Sequence, residues 1–174
     1  MTADPLTLPA CPETDGFTDP LTSVDSAETD GFADLGLPAH LLDAINELGF
    51  EVPTEIQSAA IPALLNGHDI VGVAQTGTGK TAAFGLPLLD AIDPAVRVPQ
   101  ALVLAPTREL ALQVSTAIET FARTSPGVRI ATIYGGAPYG PQKRDLGAGA
   151  QVVVGTPGRI IDHLGRGTFN LDGL

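Results

Sequence analysis

Apolar positions from residue 32 onward fall into two alternating patterns. Leu37, Leu41, Leu42, Ile45 and Leu48 recur at helical spacing and predict a helix from near Pro38 to Gly49. Thr54 has the character of an N-cap for a second helix, with Ile56, Ala60, Ile61, Leu64 and Leu65 on its inner face and Gly67 closing it. Four short, mainly apolar runs follow, over residues 70–74, 101–105, 128–133 and 152–155. Each is succeeded by a helical pattern, over 80–92, 108–123, 140–146 and 158–164. Strands with no polar alternation, separated by helices, predict an α/β domain whose parallel sheet is covered by helices on both faces.

Residues 1–31 lack either period. They are rich in Asp, Glu, Thr, Pro and Ser, the composition of a disordered acidic tail. ETDGFTDP at 13–20 is nearly repeated as ETDGFADL at 28–35, which reads as a local duplication whose second copy becomes the edge of the domain. The expected organisation is therefore a tail over 1–31 and one domain over 32–174, since 174 residues suffice for a single ordinary core.

Charge divides the chain at a different point. Residues 1–79 contain 13 acidic and no basic residues, whereas 80–174 carry all nine Lys and Arg against seven acids, +2 within an overall −11. Any polyanionic partner is thus expected on the second part. The lone Cys11 rules out an intramolecular disulfide, and the N-terminus has no basic patch followed by an apolar run. No apolar stretch approaches the roughly 18 residues needed to span a bilayer. The expected setting is reducing and cytoplasmic, with no membrane partner. His40, His68 and His163 stand apart without ligand spacing, so no metal site of their own is expected.

The most specific chemistry lies in GVAQTGTGKTAAF at 72–84. An apolar run leads into a glycine-rich turn, and Lys80 and Thr81 open the next helix. Backbone N–H groups of Thr76, Gly77, Thr78 and Gly79 can surround phosphates at a positive helix end, Lys80 can reach the terminal phosphates, and Thr81 can ligate magnesium. The first position of the usual G-x-x-x-x-G-K-S/T pattern is Ala74 here. Such loops serve kinases, GTPases, transport ATPases and helicases alike, so the flanks must select among them. Upstream, GFEVPTEIQ at 49–57 supplies Phe50, a face for a purine to stack on, and Gln57, an amide able to pair with an adenine edge. The residues alone favour the plainer reading, Phe50 as a core anchor and Gln57 as a surface residue.

GFEVPTEIQ, AQTGTGKT, PTRELALQ, YGG and TPGR, in that order, resemble the N-terminal RecA-like domain of DEAD-box ATP-dependent RNA helicases. The resemblance covers about residues 32–174 and disfavours a nucleotide kinase or transport ATPase. It implies a RecA-like P-loop fold and an adenine-recognition segment at 49–57, with Phe32 as the isolated upstream aromatic and Thr54 within the ATP site. Phe50 would stack on adenine and Gln57 would read its edge. Lys80 and Thr81 would be the catalytic pair, Lys80 on phosphate and Thr81 on Mg2+. RNA would be held through its backbone by Pro106, Thr107, Arg108 and Glu109, by Gly135 and Gly136, and by Thr156, Pro157, Gly158 and Arg159.

Hydrolysis also needs a carboxylate for magnesium and a group that orients water, which the family draws from an Asp-Glu-Ala-Asp motif. These 174 residues contain no Asp-Glu dipeptide, and their last glutamate is Glu119. The expectation is an N-terminal fragment, incomplete at its C-terminus, whose partner would be a second RecA-like domain. Its function is RNA duplex unwinding or ribonucleoprotein remodelling within the longer enzyme. The alternative is an ATP- and RNA-binding fragment without catalysis. An incomplete sheet is further expected to be marginally stable and to have no measurable ATPase.

Overall fold

The computed structural model describes residues 31–174, and the tail predicted over 1–31 lies almost wholly outside them. A 3-10 turn (Phe32–Leu35) precedes helices α1 (Ala39–Glu47), α2 (Glu55–Leu65) and α3 (Lys80–Asp90). Strand β1 (Ala101–Leu104), helix α4 (Arg108–Phe121), strand β2 (Ile130–Ile133), helix α5 (Tyr139–Gly147), strand β3 (Val152–Gly155) and helix α6 (Pro157–Gly165) follow. All three strands are parallel, with β3 between β1 and β2. The α/β architecture predicted from the apolar runs is the one found.

Helices cover both faces, and the alternation along β3 shows how. Val152 and Val154 join a core built with Leu41, Ile45, Ile61, Leu86, Ile118 and Phe121, from helices α1 to α4. Val153 points the other way, into a smaller cluster with Ile133, Leu146, Ile160 and Phe169. Every residue of β3 is buried, as a central parallel strand requires. The second copy of the repeat is structural: Phe32 and Leu35 are both in the larger core.

One predicted strand is not formed. Residues 70–74 run without a ladder partner, and Val71 and Val73 are 83% and 93% exposed. The segment does approach α2 and α3, because Ile70 and Gly72 line a cavity of about 210 Å3 with Ile56, Ala60, Ala83 and Phe84. An apolar run becomes a strand only when a neighbour accepts its backbone hydrogen bonds, and no described strand lies alongside. β1 shares that condition on one side, since it pairs only with β3 and Leu104 is 55% exposed. Such apolar edges are prone to association between chains. Among the described residues no helix is long and apolar enough to cross a membrane.

Candidate nucleotide site and polar strand edge

The glycine-rich turn ends at Gly79, whose left-handed φ of 82° lets the chain enter α3 directly at Lys80. Gly77 has the same handedness, with φ 83°. Two residues of the 49–57 segment are bonded to this turn. Gln57 is 4% exposed; its Oε1 accepts from the Thr54 amide at 2.8 Å, closing the start of α2, and its Nε2 donates to the Gly79 carbonyl at 3.2 Å. Thr54 Oγ1 donates to the Thr78 carbonyl at 2.8 Å. The segment proposed for the base and the turn proposed for the phosphates are thus one bonded unit. Gln57 is a buried connector and not a surface residue.

Phe50 is 38% exposed and is backed by the buried Phe32, the two rings stacked with centroids 6.3 Å apart at 23°. Phe50 therefore offers a free face on a fixed support, while Phe32 itself is 5% exposed. Lys80 Nζ donates to the carbonyls of Ala74 and Gln75, and Thr78 Oγ1 to that of Gln75 at 2.8 Å. The ammonium thus lies folded against its own turn, where an incoming phosphate would compete for it. Thr76 is exposed, and Thr81 is half-buried in the first turn of α3.

A second group of candidates is aligned by strand register. Leu104 and Ile133 both pair opposite Gly155, so the segments after β1, β2 and β3 leave the sheet at one level. Bonds from Ala105 N to Gly155 O (2.9 Å) and from Thr156 N to Ile133 O (2.9 Å) extend that alignment into the connections. Pro106, Thr107, Arg108, Glu109, Gly135, Gly136, Pro157 and Gly158 are exposed there, and Thr156 and Arg159 are half-buried. Thr107 caps α4 by accepting from the Leu110 amide at 3.2 Å. Arg108 lies over the Tyr134 ring at 5.1 Å, and Arg159 Nη1 donates to the Ala137 carbonyl at 3.2 Å, so the two guanidinium groups bracket the turn at 134–137. This is the carboxyl edge of a parallel sheet, where α/β domains bind ligands.

Residues 54–174 match the family model for DEAD/DEAH box helicases. The chain belongs to the DEAD/DEAH box helicase family. It is 61% identical over 141 residues to the ATP-dependent RNA helicase DeaD of Haemophilus influenzae, covering 81% of this chain and 23% of that protein. The DeaD protein of Mycobacterium tuberculosis is 56% identical over 138 residues. The chain thus spans about a quarter of the length of the curated relatives it matches. Among solved structures, a DEAD box protein from Methanococcus jannaschii superposes with TM-score 0.78 at 46% identity, over 83% of this chain and 39% of that one. Dbp5 of S. cerevisiae bound to RNA and ADP BeF3 gives 0.75 at 35% identity, over 83% and 36%. The RecA-like fold of the family is therefore that of this chain as well.

Beside the strand edge lies a polar cluster absent from the sequence motifs. His163 is fully buried, flat against Tyr139 at 4.2 Å and 10°, and contacts Thr168 and Gln142. Its signal in the sequence was position: it shares the inner face of α6 with Ile160, three residues back, and a polar group there must find partners. Burial pushes its imidazole below the ordinary value of 6.5; Arg159 adds to that, Asp162 opposes it, and Arg166 adds again. The fold therefore favours neutral His163, while the unfolded chain takes up a proton near 6.5. Stability from this group is complete above that value and is lost as pH falls toward the lowered one. Thermal melts should show Tm falling as pH is lowered below about 6.5, and His163→Phe should flatten part of that slope. An unchanged slope in the variant would refute the assignment.

Proposed function

We propose that the chain is the N-terminal ATP-binding part of an ATP-dependent RNA helicase, acting on RNA duplexes or ribonucleoproteins in the cytoplasm. The observation that carries this reading is the direct bonding of Gln57 to Gly79 and of Thr54 to Thr78, which joins a base-facing element to a phosphate loop. In it, residues 32–174 are a partial N-terminal RecA-like domain, residues 1–31 are an acidic tail, and a second RecA-like domain is the partner that completes catalysis. Phe50 offers its outer face to adenine, supported by Phe32, and Gln57 supplies amide capacity beside it.

The residues fit ATP with Mg2+. Gly77 has open space where a Cβ would stand, so backbone amides of 76–79 can approach phosphate oxygens. When bound, the metal neutralises phosphate charge and orients it for displacement. Lys80 would exchange its carbonyl partners for phosphate oxygens, and Thr81 would offer its hydroxyl to the ion. Arg108, Gly135, Gly136, Thr156, Gly158 and Arg159, with Pro106, Thr107, Glu109 and Pro157 shaping the helix starts, hold the RNA backbone. Contacts of that kind read phosphate and not sequence.

Within this reading the 174-residue chain binds ATP and RNA and does not hydrolyse. ATPase should be measured with and without RNA on this chain, and on the same chain joined to the downstream portion of a DeaD relative. Only the joined protein is expected to turn over, with stimulation by RNA, and Lys80→Ala should reduce its rate by at least about a hundredfold. RNA-stimulated turnover by the 174-residue chain, or none by the joined protein, would count against it.

A further inference from the structure

Gln142 and His163 are 4% and 0% exposed, and neither lies in the segments that carry the family resemblance. Buried polar side chains must be bonded, and the two here meet at Gln142 Oε1, the atom that also accepts from a guanidinium. Gln142 Nε2 donates to the Tyr134 carbonyl at 3.0 Å, which fixes the amide's orientation. Its Oε1 accepts from Arg159 Nη1 at 3.2 Å. His163 Nε2 faces that same Oε1 at 3.4 Å, so this nitrogen must carry the proton. Nδ1 then faces the Thr168 hydroxyl at 2.9 Å, whose one proton is shared between Nδ1 and the His163 carbonyl oxygen at 3.1 Å, and Thr168 in turn accepts from the Tyr139 hydroxyl at 2.6 Å. Stacking on Tyr139 holds the imidazole plane. A continuous network of hydrogen bonds runs from α5 through His163 to Gln142, whose Oε1 accepts from both His163 and Arg159.

The same bonds pin the backbone on either side of two glycines. Gln142 holds the Tyr134 carbonyl and Arg159 holds the Ala137 carbonyl, with Gly135 and Gly136 between them. The side chain of Arg159 is 16% exposed, so its direction is set largely from within.

We propose that Gln142 and His163 are positioning residues that lock Arg159 and the Gly135–Gly136 turn into one rigid unit, presenting both at a preset spacing to RNA phosphates. The role in RNA contact rests on the helicase reading above; the locking does not. Preset geometry matters because a site that must first order a guanidinium and a glycine turn loses affinity to entropy.

The test uses the 174-residue chain in two arms. In the first, without RNA, arginine side-chain NMR measures rotation of the Arg159 guanidinium. It is expected to be slow in the parent and fast in Gln142→Ala and in His163→Phe, which keeps the stacked ring and removes both nitrogens. Gln142→Glu keeps an acceptor for Arg159 and His163 but loses the donor to Tyr134, so it should restore slow rotation; it also serves should Gln142→Ala unfold. In the second arm, anisotropy of a labelled single-stranded oligouridylate is measured well below each variant's Tm. Gln142→Ala and His163→Phe should each weaken binding roughly three- to tenfold, and the double variant no more than the worse single one. Lowered Tm with unchanged affinity and rotation would reduce the cluster to a structural one and overturn the proposal. Fast Arg159 rotation in a parent that binds RNA removes the locking and leaves the helicase reading. Slow rotation in a parent that does not bind RNA supports the locking and removes the RNA contact.

Discussion

Gly79→Ala should weaken ATP binding by about a hundredfold, whereas Gly77→Ala should cost about tenfold or less. Both glycines have φ near 80°, so a side chain at either forces the disfavoured left-handed conformation at roughly 1–2 kcal/mol. Their surroundings differ. A Cβ at position 77 meets nothing within 4 Å, while one at position 79 would stand 2.3 Å from Gln57 Nε2 and 3.1 Å from its Cδ. Gln57 would have to withdraw, breaking its bond to Gly79 O and disturbing the one that closes α2, at about 1 kcal/mol each. Isothermal titration with ATP and magnesium separates the two variants, and equal losses would mean that Gln57 does not brace the turn.

Gly155→Ala should be among the most destabilising single substitutions in the chain. Gly155 ends β3, opposite both Leu104 and Ile133, where the added Cβ would lie 2.5 Å from the Ile133 carbonyl oxygen and 2.8 Å from Ile160 Cδ1. Ile160 can turn aside, but the oxygen belongs to the backbone of β2 and also accepts from the Thr156 amide. Relieving the overlap pushes β2 from β3 at the level where the polar strand edge begins. The cost is about 3 kcal/mol, or a fall in Tm on the order of 10 °C. RNA affinity should fall as well, because the segments after β2 and β3 lose their common level. A variant with parent Tm and parent affinity would contradict the register as the device that aligns this edge.

The sequence made the helix starts legible because local chemistry sets them: Thr54 and Thr107 begin α2 and α4, and Lys80 follows a glycine that only a turn needs. Three of four apolar runs became strands because each gained a parallel neighbour, β3 pairing with both β1 and β2. The run at 70–74 has the same composition, but forming a strand depends on a neighbour, which composition does not report. The glycine-rich turn and the 49–57 segment were each readable, while their bonding through Gln57 was not, since it joins residues 22 positions apart. His163 was readable only as a lone histidine. Its partners Gln142, Tyr139 and Thr168 come from α5 and from the segment after α6, and only the packing of those elements against each other brings them together.

Calorimetric titration of the chain with ATP and with GTP in the presence of magnesium tests whether Phe50, Gln57 and the turn before α3 form one adenine-selective triphosphate site. ATP is expected to bind at least roughly tenfold more tightly than GTP, because a site that bonds one base edge rejects another. Lys80→Ala should abolish binding of both, and Gln57→Ala should remove most of the preference. Equal affinity of the parent for the two nucleotides, or ATP binding unchanged by Lys80→Ala, would contradict such a site.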